Sequence, residues 1–375
     1  MEYRLEELFD LQMGKTPSRS VTEYWESGNN KWISIADLSK CGKYIYDTKE
    51  CLSDIAVSES GIKQIPANTV VMSFKLSIGK TAITSEPMYS NEAIMSFRDR
   101  KLVQLLPEYI YYLLLSKNWD DGTNKAVMGK TLNKATLSKV KVNIHSMQEQ
   151  QEIVYVLNQA TALIELHQQQ LQKLDELVKA RFVEMFGDCV LNTKSWNTKR
   201  LGDIAEVGSS KRVFVEDLKE KGIPFYRGTE IGALAEGKTV VPELFISEEH
   251  YSELCKATGF PQVGDFLMPS ICPDGRIWIV NTSEPFYFKD GRVLWVHAIN
   301  NSYNPVFLLH TLKDRIMTDY SSIASGTTFA ELKIFALKEC RIFDVPLELQ
   351  NQFAAFVHQV DKSKICWCKE SKKIR

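Results

Sequence analysis

The chain repeats itself once along its length, and this internal repeat constrains the fold more than any other feature of the sequence. Arg200 follows Arg4, and Gly275 follows Gly79, by the same 196 positions. The matched landmarks are Arg4-Leu5 with Arg200-Leu201, Gly79-Lys80 with Gly275-Arg276, Pro107 with Pro305, Gly129-Lys130-Thr131 with Gly326-Thr327-Thr328, and Gln150-Gln151 with Gln350-Asn351. Such a repeat is too long for a solenoid. We expect two copies of one domain related by a pseudo-two-fold, which suits a partner with two similar half-sites.

Composition indicates a soluble globular protein. Of the 375 residues, 44% are hydrophobic and 25% are charged, which is ordinary for that class. No apolar run is long enough to span a bilayer, and the N-terminal residues lack a signal-peptide pattern, so a cytoplasmic location without membrane contact is predicted. The eight cysteines form no Cys-x-x-Cys pair and are expected to be reduced thiols. A net charge of −1 argues against a chain that binds DNA unaided, because DNA-binding domains are usually basic.

A long helix is predicted between the two copies. Apolar residues recur at three- and four-residue steps from Met147 to about Phe186, and a helix of that length would extend roughly 60 Å. A shorter stripe from Leu349 onward predicts a partner helix in an intramolecular antiparallel coiled coil, with a homodimeric coiled coil as the alternative. The shorter second helix would leave apolar residues free for another protein. The predicted partner-binding residues are Ile153, Leu157, Leu163, Leu171, Leu174, Phe353 and Val357.

Each copy mixes short strands with helices, which favours the α+β class. Strands are predicted over runs such as 31–38, 69–74 and 223–226, and helices follow Pro107 and Pro305. The predicted domains are 1–145, a central helical region 146–195, a second domain 196–345 and a short C-terminal helical region 346–375.

Catalytic motifs are not recognisable in the sequence. Gly-Lys-Thr occurs at Gly14, Gly79 and Gly129, but none has the glycine five positions earlier that a P-loop requires. The six histidines form no His-Glu-x-x-His pattern. We therefore predict no catalytic residue, no metal site and no cofactor bound by this chain.

Loops rich in cations and hydroxyls are the better candidates for function. The loop from Ser73 to Lys80 matches the loop from Pro269 to Arg276, and both contain a cation directly after a glycine. Lys, Arg, Ser and Thr are common ligands of DNA phosphates and base edges. The predicted DNA-binding residues are Lys15, Ser73, Lys75, Lys80, Lys130, Thr131, Arg227, Thr229, Ser270, Arg276, Thr327 and Thr328.

Taken in order, the landmarks resemble the specificity subunit of type I restriction-modification systems. The resemblance covers essentially the whole chain. It rests on the Leu5…Leu11 opening, Val70-Val71-Met72 with Ile78-Gly79-Lys80-Thr81, Gly129-Lys130-Thr131 with Val140-Lys141-Val142, Gln148–Leu157, Phe182–Asp188, and then Asn192, Trp196 and Leu201.

That resemblance implies two α/β target-recognition domains separated by long antiparallel coiled-coil helices. Each domain would dock in a major groove and recognise half of a split double-stranded DNA site. The helices would act as a spacer and bind methyltransferase (M) subunits, which use S-adenosylmethionine, and restriction/motor (R) subunits would join them. The chain itself would be non-catalytic.

One departure from the family plan leaves alternatives open. The second helical region reaches its end soon after Cys366-Trp367-Cys368, where a longer apolar stripe is expected. The chain could therefore be a truncated or inactive specificity subunit. It could also be a helical adaptor that binds no DNA, or an enzyme whose site is not recognisable in the sequence.

Overall fold

The structure is a computed structural model that describes residues 1–26, 28–75, 77–119, 124–126, 129–326 and 330–374. Side chains are not described at 124–126, 129–131 and 365–374. The chain divides into two compact units, Met1–Glu165 and Leu166–Arg375. The four-part domain division stays a prediction.

Short helices and strands make up the first unit. Its helices are α1 (Leu5–Leu8), α2 (Ile35–Leu38), α3 (Asp54–Ser60), α4 (Pro107–Leu115) and α5 (Lys134–Ser138). Its strands are β1 (Glu2–Arg4), β2 (Phe9–Met13), β3 (Asn30–Ile33), β4 (Tyr44–Ile45), β5 (Glu50–Leu52), β6 (Val70–Ser73), β7 (Thr81–Thr84), β8 (Tyr89–Ser90), β9 (Ile94–Asp99), β10 (Asn124–Ala126), β11 (Gly129–Thr131) and β12 (Lys141–Asn143).

After the first copy comes α6 (Met147–Phe186), whose bounds confirm the predicted helix. The second unit adds the helices α7 (Leu201–Ile204), α8 (Gly228–Ala235), α9 (Glu248–Thr258), α10 (Pro305–Ile323), α11 (Ile334–Lys338) and α12 (Leu347–Ile374). Its strands are β13 (Thr198–Arg200), β14 (Glu206–Gly208), β15 (Ile223–Tyr226), β16 (Phe245–Ile246), β17 (Phe266–Pro269), β18 (Trp278–Ile279), β19 (Tyr287–Phe288), β20 (Val293–His297), β21 (Ala324–Ser325), β22 (Glu331–Leu332) and β23 (Arg341–Phe343).

The predicted repeat is a repeat of sheet topology. The first unit has a main sheet of order β2-β9-β6-β7-β4, and the second has β14-β20-β17-β18. A smaller sheet in each unit has one antiparallel and one parallel pair, in the orders β5-β3-β8 and β16-β15-β19. In each copy the first strand pairs with the last, β1 with β12 and β13 with β23. The strand order therefore confirms two copies of one α+β scaffold.

A buried glutamine explains one of the sequence landmarks. Gln150 is 1% exposed, and its Oε1 accepts a hydrogen bond from the backbone N–H of Leu106 at 3.0 Å. Its Nε2 donates to the carbonyls of Gln104 and His145 at 3.0 and 3.1 Å. Two of these bonds satisfy backbone groups beside the start of α4, where Pro107 occupies the first helical position, and the third satisfies the carbonyl of His145 just before α6.

Gln350 makes the same set of contacts in the second copy. Its Oε1 accepts from the N–H of Asn304 at 2.8 Å, and its Nε2 donates to the carbonyls of Ser302 and Val345 at 3.1 and 2.8 Å. Pro305 again begins the helix that follows. A fully bonded amide fixes the long helix of each copy against its domain, because leaving any of these buried groups unpaired would be costly.

The predicted strand over 31–38 is wrong in its second half. The strand β3 ends at Ile33, and α2 begins at Ile35. Ser34 caps this helix, since its Oγ accepts from the N–H of Asp37 and the Asp37 carboxylate accepts from the N–H of Ser34. This reciprocal capping box competes successfully with the apolar alternation of the sequence.

Within the second unit, α12 packs antiparallel against the C-terminal part of α6. Phe353, near the start of α12, contacts Phe182 and Phe186 with ring centroids 5.4 and 5.6 Å apart. Lys364, further along α12, forms an ion pair with Asp175, earlier on α6, at 2.7 Å. The order of these contacts confirms an intramolecular antiparallel helix pair.

His310 of α10 lies against this helix pair, and its ring is 5.2 Å from that of Phe353. Burial, assisted by the positive charge of Lys313, lowers the pKa of His310 to about 4. The imidazole is therefore neutral at neutral pH and behaves as a packing residue.

Candidate nucleic-acid interface

Four of the predicted DNA-binding residues meet at one cavity in the second unit. The cavity has a volume of about 470 Å³. The end of β17, the start of α8 and the turn between β19 and β20 form its walls. It is lined by Arg227, Gly228, Thr229, Pro269, Ser270, Ile271, Arg276, Lys289 and Arg292. The lining side chains carry positive charges and no negative ones, which suits an anionic or acceptor-rich ligand. We call this site the basic cavity.

Arg227 is held in place by two carboxylates. Its Nε donates to Glu230 at 3.1 Å, and its Nη2 pairs with Glu230 and, at 2.9 Å, with Glu243. Burial alone would raise the pKa of Glu230, but hydrogen bonds from Arg227 and Thr229 outweigh it and lower that pKa to about 2. The same bond to Glu230 raises the pKa of Arg227 above its ordinary value. This pair is charged throughout the physiological range and orients the guanidinium beside the cavity.

Arg276 approaches the cavity from a glycine turn. Gly275 has φ +65°, a conformation that favours glycine. The Nε of Arg276 lies 2.8 Å from Asp274, and its Nη1 lies 3.6 Å from Glu236, the residue directly after α8. Arg276 therefore links its own turn to the end of α8, and its side chain also lines the cavity.

Thr229 and Ser270 were predicted to bind DNA, and in the structure both make contacts within the protein. The Thr229 hydroxyl donates to Glu230 at 2.8 Å. Ser270 is only 2% exposed, and its carbonyl accepts from the N–H of Leu332 at 2.7 Å. Ser270 thus fixes the wall of the cavity.

Lys289 and Arg292 were missed by sequence reasoning. Both are exposed and line the cavity from the turn that contains Gly291. The signal for them in the sequence is Lys289-Asp290-Gly291-Arg292, in which two cations flank a turn directly after an aromatic strand. The internal repeat hides it, because the first copy has no cations at the corresponding positions.

Backbone hydrogen bonds identify those corresponding positions. The N–H of Ser270 donates to the carbonyl of Arg292, and the N–H of Phe74 donates to that of Ala93, both at 2.9 Å. In the same way Lys289 bonds to the strand β15 and Asn91 to the strand β3. The capping boxes of α8 and α2 make Arg227 equivalent to Ser34. The cavity cations Arg227, Arg276, Lys289 and Arg292 are therefore replaced in the first unit by Ser34, Lys80, Asn91 and Ala93.

The one retained cation has the same structural role in both copies. Gly79 has φ +89°, and the Nζ of Lys80 donates to the hydroxyl of Ser39, the residue directly after α2. Lys80 thus repeats the contact that Arg276 makes with the end of α8. In both copies the cation after the loop glycine therefore contacts the residue that follows the helix, through a hydrogen bond for Lys80 and an ion pair for Arg276.

The other predicted residues of the first unit are dispersed. Ser73 is fully buried, and its Oγ bonds to the carbonyl of Ser77 and accepts from the N–H of Lys80, so it holds the loop closed and faces no solvent. The Nζ of Lys75 lies 5.3 Å from the ring of Phe74. Lys15 is exposed, and its Nζ donates to the carbonyl of Ser60 at 2.5 Å.

Four predicted residues lie outside what the structure describes in side-chain detail. Lys130 and Thr131 belong to the strand β11, but their side chains are not described. Thr327 and Thr328 lie outside the described residues altogether. Their assignment to DNA binding stays a prediction.

A second cavity in the first unit, of about 630 Å³, lies beside α2. It is lined by Lys40, Lys43 and Lys49 among others, none of which was predicted. Lys43 is already engaged with Glu108 at 2.7 Å and with Asn158 at 2.7 Å. Tyr44 also bonds to Glu108. Because Glu108 belongs to α4 and Asn158 to α6, these contacts of the cavity residues hold the two helices in place.

The residues predicted to bind a partner protein divide into two groups. Leu157 and Leu163 are exposed, and Ile153, Leu171 and Leu174 are half-buried. Phe353 and Val357 are 0% and 4% exposed because they pack inside the helix pair. Those two side chains stabilise the fold and cannot reach another protein without opening the pair.

Among the described residues, no cluster of His, Cys, Asp and Glu is placed to hold a metal ion. No helix in that part of the chain combines the length and the apolarity needed to cross a membrane.

Comparison with known proteins gives a consistent result. The family profile of the type I restriction modification DNA specificity domain matches residues 1–176 and again 193–373. The MjaIX type I restriction enzyme specificity subunit of Methanocaldococcus jannaschii is 26% identical, over 94% of this chain and 85% of that protein. A type I restriction enzyme specificity subunit of Escherichia coli is 27% identical over 44% of each chain.

Two solved structures share the fold. The S subunit of a type I restriction-modification system from M. genitalium has a TM-score of 0.52, with 15% identity, over 100% of this chain and 92% of that one. A chain from another type I R-M system has a TM-score of 0.58, also with 15% identity, over 100% and 94%. The relatives are named as specificity subunits, which are not themselves enzymes. The resemblance seen in the sequence is confirmed: this chain belongs to the type I restriction-modification DNA specificity family as a non-catalytic specificity subunit, and each half of it is one copy of the specificity domain.

Proposed function

We propose that this chain binds double-stranded DNA and that each unit recognises one half of a bipartite target sequence. The observation that carries the proposal is that a DNA specificity profile matches both halves of the chain. The two copies share a scaffold and differ in the side chains they present. Because base choice depends on which donors and acceptors meet the base edges, equivalent positions with different residues support two different half-sites.

The basic cavity supports direct contact of the second unit with DNA. Cations that line a concave surface attract phosphates, and arginine and lysine also bind base edges. In the first unit the equivalent positions are nearly uncharged, with Lys80 as the retained cation. The chain's net charge of −1 fits a DNA-binding subunit that acts with partners, since the chain as a whole does not attract DNA strongly.

Methyltransferase subunits and restriction/motor subunits are the partners we propose, with S-adenosylmethionine bound by the methyltransferase. Exposed apolar side chains on α6 support protein contact. They are Tyr155, Val156, Leu157, Leu163, Leu166, Leu177 and Val183. Several exposed apolar residues on one helix are typical of an interaction surface. A cytoplasmic location fits this assembly and remains a prediction.

Binding of duplex DNA tests the proposal. The full chain, purified with the methyltransferase subunit of its own system, is expected to bind duplex DNA with an affinity that falls linearly on a log–log plot against salt. Lys289→Ala removes an exposed cation from the basic cavity, and is expected to reduce the salt slope by about one unit. Lys219→Ala is the matched control, because Lys219 is exposed in the same unit but does not line the cavity.

The adaptor alternative predicts a different outcome. If the chain is an adaptor that binds no DNA, any retention of duplex by the complex would not depend on salt concentration. Counterion release would then be absent. Equal slopes for the wild type and for both lysine variants would remove the basic cavity from the DNA contact.

A further inference from the structure

Arg292 stands on a turn that is fixed from several sides. It directly precedes β20, and its carbonyl accepts from the N–H of Ser270 at 2.9 Å. The turn closes through a bond from the N–H of Val293 to the carbonyl of Lys289 at 3.1 Å. The hydroxyl of Ser209 donates to the carbonyl of Val293 at 2.6 Å and accepts from the N–H of Gly291 at 2.9 Å. These hydrogen bonds fix the backbone from which the Arg292 side chain extends, so its Cα and Cβ have a defined position.

The guanidinium of Arg292 is also oriented. Its Nη1 pairs with Oε1 of Glu331, whose other oxygen Oε2 pairs with Lys333 at 3.1 Å. These two cations lower the pKa of Glu331, and the hydrogen bond from Lys333 has the largest effect. Glu331 therefore remains a carboxylate and binds one nitrogen of the Arg292 guanidinium, while the Arg292 side chain stays 56% exposed.

Arg292 differs from the other arginines of the basic cavity in the donors it leaves available. Arg227 uses Nε and Nη2 for Glu230 and Glu243. Arg276 has Asp274 beside its Nε and Glu236 beside its Nη1. Among the contacts of the described residues, Arg292 engages Nη1 alone, so its adjacent Nε and Nη2 donors point to a ligand with two neighbouring acceptors.

We propose that Arg292 recognises a guanine in the half-site bound by the second unit. Guanine presents O6 and N7 side by side in the major groove, and a bidentate arginine matches that pair. Adenine, cytosine and thymine each present a different pattern there. The proposal rests on the proposed DNA-binding function. It assigns one base to one unit, because the equivalent residue of the first unit, Ala93, carries no donor.

A phosphate also offers paired oxygen acceptors, and the two ligands predict different behaviour. Loss of a guanine contact relaxes the choice of one base and leaves other sequences bound as before. Loss of a phosphate contact weakens all sequences together and reduces the salt slope. Arg292→Lys separates the two cases, since lysine keeps the charge but lacks the planar fork.

The experiment is selection of bound duplexes from a randomised DNA library by the full chain in complex with its methyltransferase subunit. The wild type is expected to select a motif with a required G·C pair in one of its two parts. Both Arg292→Ala and Arg292→Lys are expected to lower the preference for that pair by about 10- to 100-fold, within the range of a bidentate contact. The other part of the motif stays unchanged. Arg212→Ala is the control, because Arg212 pairs with Asp290 of the same turn at 3.4 Å but does not line the cavity.

The other outcomes overturn the assignment. An unchanged motif in both Arg292 variants, or a uniform loss of affinity that Arg292→Lys restores, excludes recognition of guanine by this residue. A wild-type complex that selects no sequence overturns the proposed function as well, and it is distinguished from the first two by the wild-type result alone.

Discussion

Replacement of Phe353 by alanine is expected to lower the free energy of unfolding of the second unit by about 3–5 kcal/mol. Phe353 is fully buried and contacts Phe182 and Phe186 of α6 as well as His310 of α10. Its removal leaves a cavity at the point where three helices meet, and their main chains cannot close it without losing other contacts.

Denaturant unfolding of the full chain, followed by circular dichroism at the helix band, measures this effect. Val183→Ala is the control on α6, because Val183 is 45% exposed and its loss is expected to change stability by less than about 1 kcal/mol. A loss below about 1 kcal/mol for Phe353→Ala would mean that the helix pair contributes little to the stability of the second unit.

Gly14→Ala is expected to destabilise the first unit by about 3 kcal/mol, the upper end of the usual cost of overpacking. A Cβ at Gly14 would lie under 3.0 Å from the backbone oxygens of Ser90 and Asn91. The backbone cannot move aside, because the N–H of Gly14 donates to the carbonyl of Ile94 at 3.1 Å and the N–H of Lys15 donates to that of Ser90 at 2.8 Å. Asn91 is the equivalent of Lys289, so we expect the first unit to lose DNA recognition together with its stability.

Thermal unfolding of the full chain tests this prediction. The variant should show a first-unit transition at lower temperature, with the second-unit transition unchanged. Gly42→Ala is the matched control in the same unit, since nothing lies within 4 Å of a Cβ at that position. Equal unfolding of the two variants would show that Ser90 and Asn91 yield to the added methyl group.

Much of the fold follows from local sequence signals. The helix Met147–Phe186 was predicted within its observed bounds, because a regular apolar period over 40 residues fits few other structures. The repeated glutamines and prolines also predicted equivalent helices. The second half of 31–38 was predicted wrongly, since the capping of Ser34 by Asp37 requires only four residues and is hidden in an apolar stretch.

The site was less predictable because it depends on distant contacts. Ser270 and Arg276 were predicted as parts of one loop, Arg227 and Thr229 were predicted apart from it, and the fold brings all four together. Arg292 was missed, since its partner Glu331 lies 39 positions later in the sequence and its counterpart in the repeat is Ala93. Ser73 has a chemically suitable hydroxyl, but the fold buries it. Exposure and pairing, which decide whether a polar side chain can meet DNA, are properties of the folded chain.

Base-modification sequencing tests the central claim most directly. The DNA would come from cells that express this chain together with the methyltransferase subunit of its own system. Two units that recognise different half-sites predict one methylated motif with two short, different specified parts around an unspecified gap. A palindromic motif, or no modified motif from an intact complex, would contradict the claim that the two units each recognise their own half of the target.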